Sequence, residues 1–238
     1  MDLSEVSLSN TNRHPWELSR TTCMFKEISK LGTINTVLDI GCGDGYFDKC
    51  LLDEHTEIKE LYGVDIFLDN EYECGKAKYI KDIDNLPKNK KYDLILMMDV
   101  FEHIEDDKSY AKKIFDLLSD EGTLLVTVPA FMKLYSLHDK ELKHFRRYDM
   151  KMLDNMLTDT GLYIVSKSYF YFSLIILRLL TMNKTENLSM WDSPRNSFKT
   201  KFVEFVLNAD YTVLRLLSRI KIYIPGLSLL AIIKKDRL

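Results

Sequence analysis

Apolar and polar positions along this 238-residue chain follow two rhythms: short β-branched or apolar runs, and longer stretches with apolar residues every three or four positions. The runs at Thr36–Ile40, 61–66, Ala77–Ile80, Tyr92–Met98 and 122–128 predict five strands, apolar over most of their length as strands covered on both faces are. Helices are predicted between and around them. Asn12-Arg13-His14-Pro15-Trp16-Glu17 opens one, with Pro15 at a tolerated first-turn position. Others are expected at 46–52, at 105–119 with Tyr110, Ile114, Phe115, Leu117 and Leu118 on one uneven face, and from Met150. Strands alternating with helices in this way imply an α/β layer fold with a largely parallel sheet and helices on both faces.

The chain changes character after residue 168. An apolar run at 169–177 is interrupted by Arg178 and is too short to span a membrane, which takes about twenty residues. A polar segment at 183–197 predicts an exposed loop. A helical pattern follows over Phe198–Arg219, with Phe202, Phe205, Val206, Ala209, Val213, Leu216 and Leu217 on one side. Residues 162–172 and 225–235 read as the two last strands, so the fifty or so residues between them form a helical insertion.

The chemistry concentrates where the first strand runs into Gly41-Cys42-Gly43-Asp44-Gly45. Glycines at alternate positions let the backbone turn tightly and approach a ligand closely, and the helix after them directs N–H groups at it. No Lys-Ser or Lys-Thr follows, which excludes a P-loop. The third glycine of a GxGxxG dinucleotide turn would fall at Tyr46, which excludes that too. Asp39, two residues before Gly41, suits a ligand carrying an ammonium group better than a pyrophosphate it would repel. The pattern resembles motif I of the class I S-adenosylmethionine-dependent methyltransferases.

Three further segments carry the same resemblance. Asp65 ends the second strand where a ribose-binding carboxylate belongs, with Ile66 next to it. Lys81-Asp82-Ile83-Asp84-Asn85-Leu86-Pro87 is similar to the family's GDAxxLP segment, and Asp99-Val100-Phe101-Glu102-His103-Ile104 to its EVLEHI segment. The resemblance implies a Rossmann-like, seven-stranded, mostly parallel sheet with an antiparallel last strand and S-adenosyl-L-methionine as cofactor. It also implies a cofactor side of Asp39, Gly41, Cys42, Gly43, Asp65, Ile66, Asp82, Ile83 and Asp99. One domain over 1–238 is expected: a helical cap at 1–34, a cofactor-binding core at 35–172, the insertion at 173–224 and the last strand at 225–238.

Methyl transfer from a sulfonium requires alignment of the acceptor and, for a hydroxyl, removal of a proton. His103, His138 and His144 are the candidate catalytic groups, with Asp139 beside His138. Glu102 has two readings: a substrate contact, or a first-turn helix residue favoured by the dipole. Asp99, Glu102 and His103 also form a trio of donors able to hold a divalent ion, although the site is expected to be metal-free. Val128-Pro129-Ala130 through His144-Phe145-Arg146-Arg147-Tyr148 resembles a VPA…GHxRRY signature of glycan- and lipid-glycan-associated members, with Lys143 in place of the usual glycine. Arg146, Arg147 and Tyr148 could bind an anionic acceptor, or form a solvated turn. Trp16 is a candidate substrate contact or a core residue of the cap.

Composition narrows the partners. A formal net charge of −3 argues against extended nucleic-acid binding, as does the lack of a [DN]PP[YF] motif after the fourth strand. Four cysteines at irregular spacing indicate neither a zinc site nor a disulfide framework, and the polar, acidic N-terminus does not resemble a signal peptide. A cytoplasmic enzyme that O-methylates a small or lipid-linked acceptor is expected, the alternative being a non-catalytic scaffold or partner-dependent subunit on the same fold. The insertion has two readings. It covers the sheet edge, roofs the pocket or forms a homodimer contact, or else a surface with Arg178, Lys199, Lys201, Arg215, Arg219 and Lys221 rests on the inner face of an anionic membrane or holds a lipid-linked substrate.

Overall fold

The computed structural model describes residues 13–181 and 197–236. Its centre is one sheet built from β1 (Thr36–Ile40), β2 (Glu60–Val64), β3 (Tyr72–Cys74), β4 (Ala77–Ile80), β5 (Tyr92–Met98), β6 (Leu118–Pro129), β7 (Leu162–Phe170) and β8 (Ser228–Lys235), ordered β3-β4-β2-β1-β5-β6-β8-β7. Strands β4, β2, β1, β5 and β6 are parallel, and β8 inserts antiparallel between β6 and β7. All seven expected strands are present. The eighth, β3, is an exposed three-residue edge strand that hairpins onto β4 through Gly75, too short and polar to leave a periodic signal.

Helices α1 (Pro15–Ile28), α2 (Tyr46–Glu54), α3 (Asp107–Leu117), α4 (Leu137–Glu141), α5 (Met150–Leu157), α6 (Ser173–Thr181) and α7 (Phe198–Arg219) complete the described chain. Alternation along the strands divides the core in two. Leu38, Ile40, Ile95 and Met97 face α3 and α5, whereas Val37, Leu94 and Leu96 face α1, α2 and α7. The insertion thus begins as α6 and returns as α7, which packs on α1 and β7. The expected polar loop at 183–197 lies almost wholly outside the described residues.

Two of the cations assigned to a membrane-facing surface turn inward instead. Arg215 bonds both oxygens of the buried Glu27 on α1, and Arg178 bonds Asp139. Each meets a buried carboxylate, whose desolvation is tolerable only with a cation in contact.

Candidate methyltransferase site

The five parallel strands end at one edge, and the glycine turn, Asp65, Asp99 and the segment after Pro129 all sit there. Gly41 has φ +76°, and a Cβ on it would lie 2.6 Å from Val100 Cγ2. The turn therefore packs directly on the segment leading to Glu102 and His103. Gly45 is equally constrained, at φ +73° with a virtual Cβ 2.8 Å from the Tyr79 hydroxyl. Asp65, almost fully buried, accepts hydrogen bonds from the backbone N–H of Gly43 (2.9 Å) and of Phe67 (2.9 Å). It ties the turn to the end of β2 and keeps lone pairs for a further donor. Ile66 beside it is 75% exposed, an apolar shelf at the sheet edge. Asp82 is exposed and caps a short 3-10 turn through the Asp84 N–H, and Ile83 is half-buried against the core.

A cavity opens between the glycine turn and α1, lined among others by Trp16, Glu17, Arg20, Asp39, Gly41 and Met98. His14 caps the helix by accepting from the Trp16 N–H, and Trp16 lines this cavity. Arg13 pairs with Asp44 and lies 3.8 Å over the Tyr46 ring, fastening the cap to the turn. Arg20 pairs with Asp99, which has φ +58°, and with Thr127, and so bridges the cavity to the end of β5. Periodicity alone did not single out Arg20. Its position one turn after Trp16 is the only signal in the sequence.

Asp39 is not the lone carboxylate expected. It is buried, as is Asp48 of α2, and none of the four oxygens of the two carboxylates has a hydrogen-bond partner in the structure. Burial pushes both groups above the ordinary carboxylate range, and the charge of Asp39 raises Asp48 further. Cys42 is buried at the turn, where it lines the same cavity, and burial pushes its thiol up.

The acceptor-side candidates separate. His103 and His144 come together with ring centroids 4.5 Å apart and edge to face. The Phe145 N–H donates to the Glu102 carbonyl at 2.7 Å and holds the two loops side by side. His144 Nδ1 lies 3.0 Å from Asp139 Oδ1. Burial opposes ionisation of Asp139, but the hydrogen bond from His144 and the Arg147 guanidinium outweigh it and hold the carboxyl well below its usual range. An ionised Asp139 accepts only, so Nδ1 donates and Nε2 is the atom His144 presents for chemistry. His138, its neighbour on α4, is exposed; the buried place on that turn belongs to Asp139.

The proposed fork of anion donors is not one. Arg147 donates from Nε to Asp139 (2.8 Å) and from Nη1 to the Ala130 carbonyl (3.3 Å). Arg146 bonds Asp107 and the Glu105 carbonyl, and the Tyr148 hydroxyl, in the core, donates to Asp107 at 2.7 Å. Two inward carboxylates draw in these donors, and the segment becomes a bracket around His144. Lys143 has φ +59°, the left-handed conformation that glycine adopts without strain.

Glu102 is fully buried, and neither carboxylate oxygen has a hydrogen-bond partner in the structure. Desolvation, reinforced by the charge of Asp99, pushes its carboxyl well above the usual range. Ligand atoms of Glu102, His103 and His144 all lie within 4.8 Å of one another. Asp99 is not part of this group, being committed to Arg20.

A methyltransferase-domain family model matches residues 18–167. The chain belongs to this methyltransferase family. It is 23% identical over 188 residues to a ubiquinone biosynthesis O-methyltransferase of Rickettsia canadensis, covering 68% of this chain and 75% of the relative. Its fold is similar to that of a methyltransferase solved in complex with the Trm112 activator of Haloferax volcanii, with TM-score 0.59, 16% identity, and coverage of 93% of this chain and 92% of that one. It is likewise similar to the plantazolicin methyltransferase BpumL in complex with a monoazolic desmethylPZN analogue and S-adenosylhomocysteine, with TM-score 0.53, 16% identity, and coverage of 94% of this chain and 84% of that one. The protein is an S-adenosylmethionine-dependent methyltransferase.

Proposed function

We propose that this methyltransferase transfers the methyl group to a hydroxyl oxygen of a small or lipid-linked acceptor, with His144 as the base. The observation that carries this reading is the Asp139–His144 hydrogen bond, made in a loop that lies against the strand end abutting the glycine turn. Asp139 fixes the tautomer, and Nε2 takes the acceptor's proton as its oxygen attacks the sulfonium methyl. Bound S-adenosyl-L-methionine would supply the methyl group, the O–CH₃ bond forming as the S–CH₃ bond breaks, with the electron pair kept by sulfur in S-adenosylhomocysteine. His103, packed on the His144 ring, orients the acceptor. On the cofactor side, Asp65 would take the ribose hydroxyls, Gly41 and Gly43 would let the chain approach, and Ile66, Asp82 and Ile83 would hold the adenine. The Asp39–Asp48 pair, with Trp16 and Arg20 above it, receives the charged amino-acid end.

The Rickettsia relative is an O-methyltransferase, which supports oxygen as the methylated atom. The inward-turned arginines leave no reason to require an anionic acceptor. The test is a screen with isotope-labelled donor against phenol, sugar-hydroxyl, carboxylate and amine acceptors, locating the methyl group by mass spectrometry. O-methyl products formed by the wild type and lost in His144→Ala are expected; products methylated on nitrogen or sulfur would overturn the reading.

Glu102 favours a second reading of the same site. Its buried, unpartnered carboxylate and the two imidazoles form a donor set suited to Mn, Fe or Zn, with Asp139 orienting one ligand from behind. A cation held there would polarise the acceptor oxygen and lower the need for a base. Loss of activity on chelation and recovery with one metal would select this reading.

A further inference from the structure

Helix α7 is apolar on two opposite sides. Leu207, Tyr211 and Leu214 are buried against α1 and β7, while Phe198, Phe202, Phe205, Val213, Leu216 and Ile220 lie exposed on the other side. At about 100° per residue these six fall within a stripe about 80° wide and roughly 33 Å long. Phe198 is 84% exposed and stacks on Phe202. Such a stripe is larger than chance exposure of single residues explains, and it requires an occupant.

The charges beside the stripe choose among occupants. Every exposed charged residue on α7 is basic, namely Lys199, Lys201 and Arg219, and exposed Lys221 follows directly. Of the helix's two acids, Asp210 is engaged by the N–H groups of Phe172 and Ser173, and Glu204 is half-buried. This basic rim belongs to a chain of net charge −3. In a symmetric pairing of two copies through this face, Lys199 and Lys201 of one would meet Arg219 and Lys221 of the other in an antiparallel arrangement, or their own counterparts in a parallel one. Both set like charges together. An apolar stripe with a cationic rim is instead the form of an interfacial membrane helix. No helix among the described residues is long and apolar enough to cross a membrane, so the contact would be peripheral.

We infer that α7 docks this protein on an anionic lipid surface, with the phenylalanines in the headgroup boundary and the four cations against lipid phosphates. Since α7 packs on α1, whose Trp16 and Arg20 line the cavity, the docked helix would keep the site next to the lipid phase.

Vesicle co-flotation tests this with two preparations, phosphatidylcholine alone and phosphatidylcholine with phosphatidylglycerol. The full chain is expected to float with the second only, less so as salt rises. Lys199→Glu/Lys201→Glu is expected to lower partitioning at least about tenfold, since each cation near the surface contributes roughly fivefold. Phe202→Ser/Phe205→Ser should abolish flotation while thermal unfolding stays unchanged, because both rings are exposed. Failure of the wild type to float, unaltered flotation of both variants, or a solution dimer dissociated by the phenylalanine variant would each overturn the inference. None of these readouts uses methyl transfer, so they fail or succeed apart from the proposed acceptor chemistry.

Discussion

At the scale of single residues, the site is defined by where donors and carboxylates are spent. Asp139 is the clearest case, since it engages His144, Arg147 and Arg178 at once. Asp139→Asn keeps the shape but exchanges the acceptor for a mixed group, freeing the His144 tautomer. The expected result is a kcat reduced about 100-fold or more with S-adenosylhomocysteine affinity within a few fold of wild type, measured by initial rates and calorimetry. Lys143 offers the opposite change. Lys143→Gly relieves the left-handed backbone and should raise stability by about 0.5–1 kcal/mol in a urea titration. Asp48 adds a pH signature. Its folded pKa lies above its unfolded one, so its proton contributes stability that is complete below the ordinary carboxylate range and lost as pH rises through the folded value. The Tm advantage of Asp48→Asn over wild type, without cofactor, should therefore grow as pH increases from acid toward neutral.

Among the elements, α1 and α7 act as one unit against the sheet. Glu27 of α1 is buried and joined to Arg215, Tyr211 and Lys30. Burial opposes its ionisation, yet hydrogen bonds from these cations and the tyrosine hold its pKa at about 2. A depressed carboxylate contributes stability above its unfolded pKa and loses it as pH falls through the folded value, so this joint should persist until strong acid. Glu27→Gln leaves Arg215 half-compensated, and a loss of about 2 kcal/mol is expected from thermal or urea unfolding near neutral pH. The insertion bounds were legible in part: the pattern over Phe198–Arg219 matched α7 end to end, because a 22-residue amphipathic helix repeats its signal many times. The side of α7 that meets the protein was not legible. Both sides are apolar, and only the packing of Leu207 and Tyr211 on the cap distinguishes them.

For the molecule as a whole, cofactor binding should be visible as stability. S-adenosylhomocysteine at a hundred times its Kd stabilises by about 2.7 kcal/mol if it binds only the folded state. The thermal shift that results should vanish in Asp65→Ala, whose wild-type carboxylate links the glycine turn to β2. The layered sheet, its parallel strands and the glycine turn were determined by the sequence itself, since β-branched runs, glycine spacing and acids at strand ends are local features with local causes. Asp65 and the glycines were readable for that reason. The partners of Asp39, Asp99, Arg147 and Arg178 were decided only by the tertiary structure. A charged side chain reads the same in sequence whether it faces water or a buried opposite charge, and only the fold brings Asp48, Arg20 and Asp139 within reach. His103 and His144 belong to the same class: two distant histidines become one site because the loop after Pro129 folds back onto the end of β5.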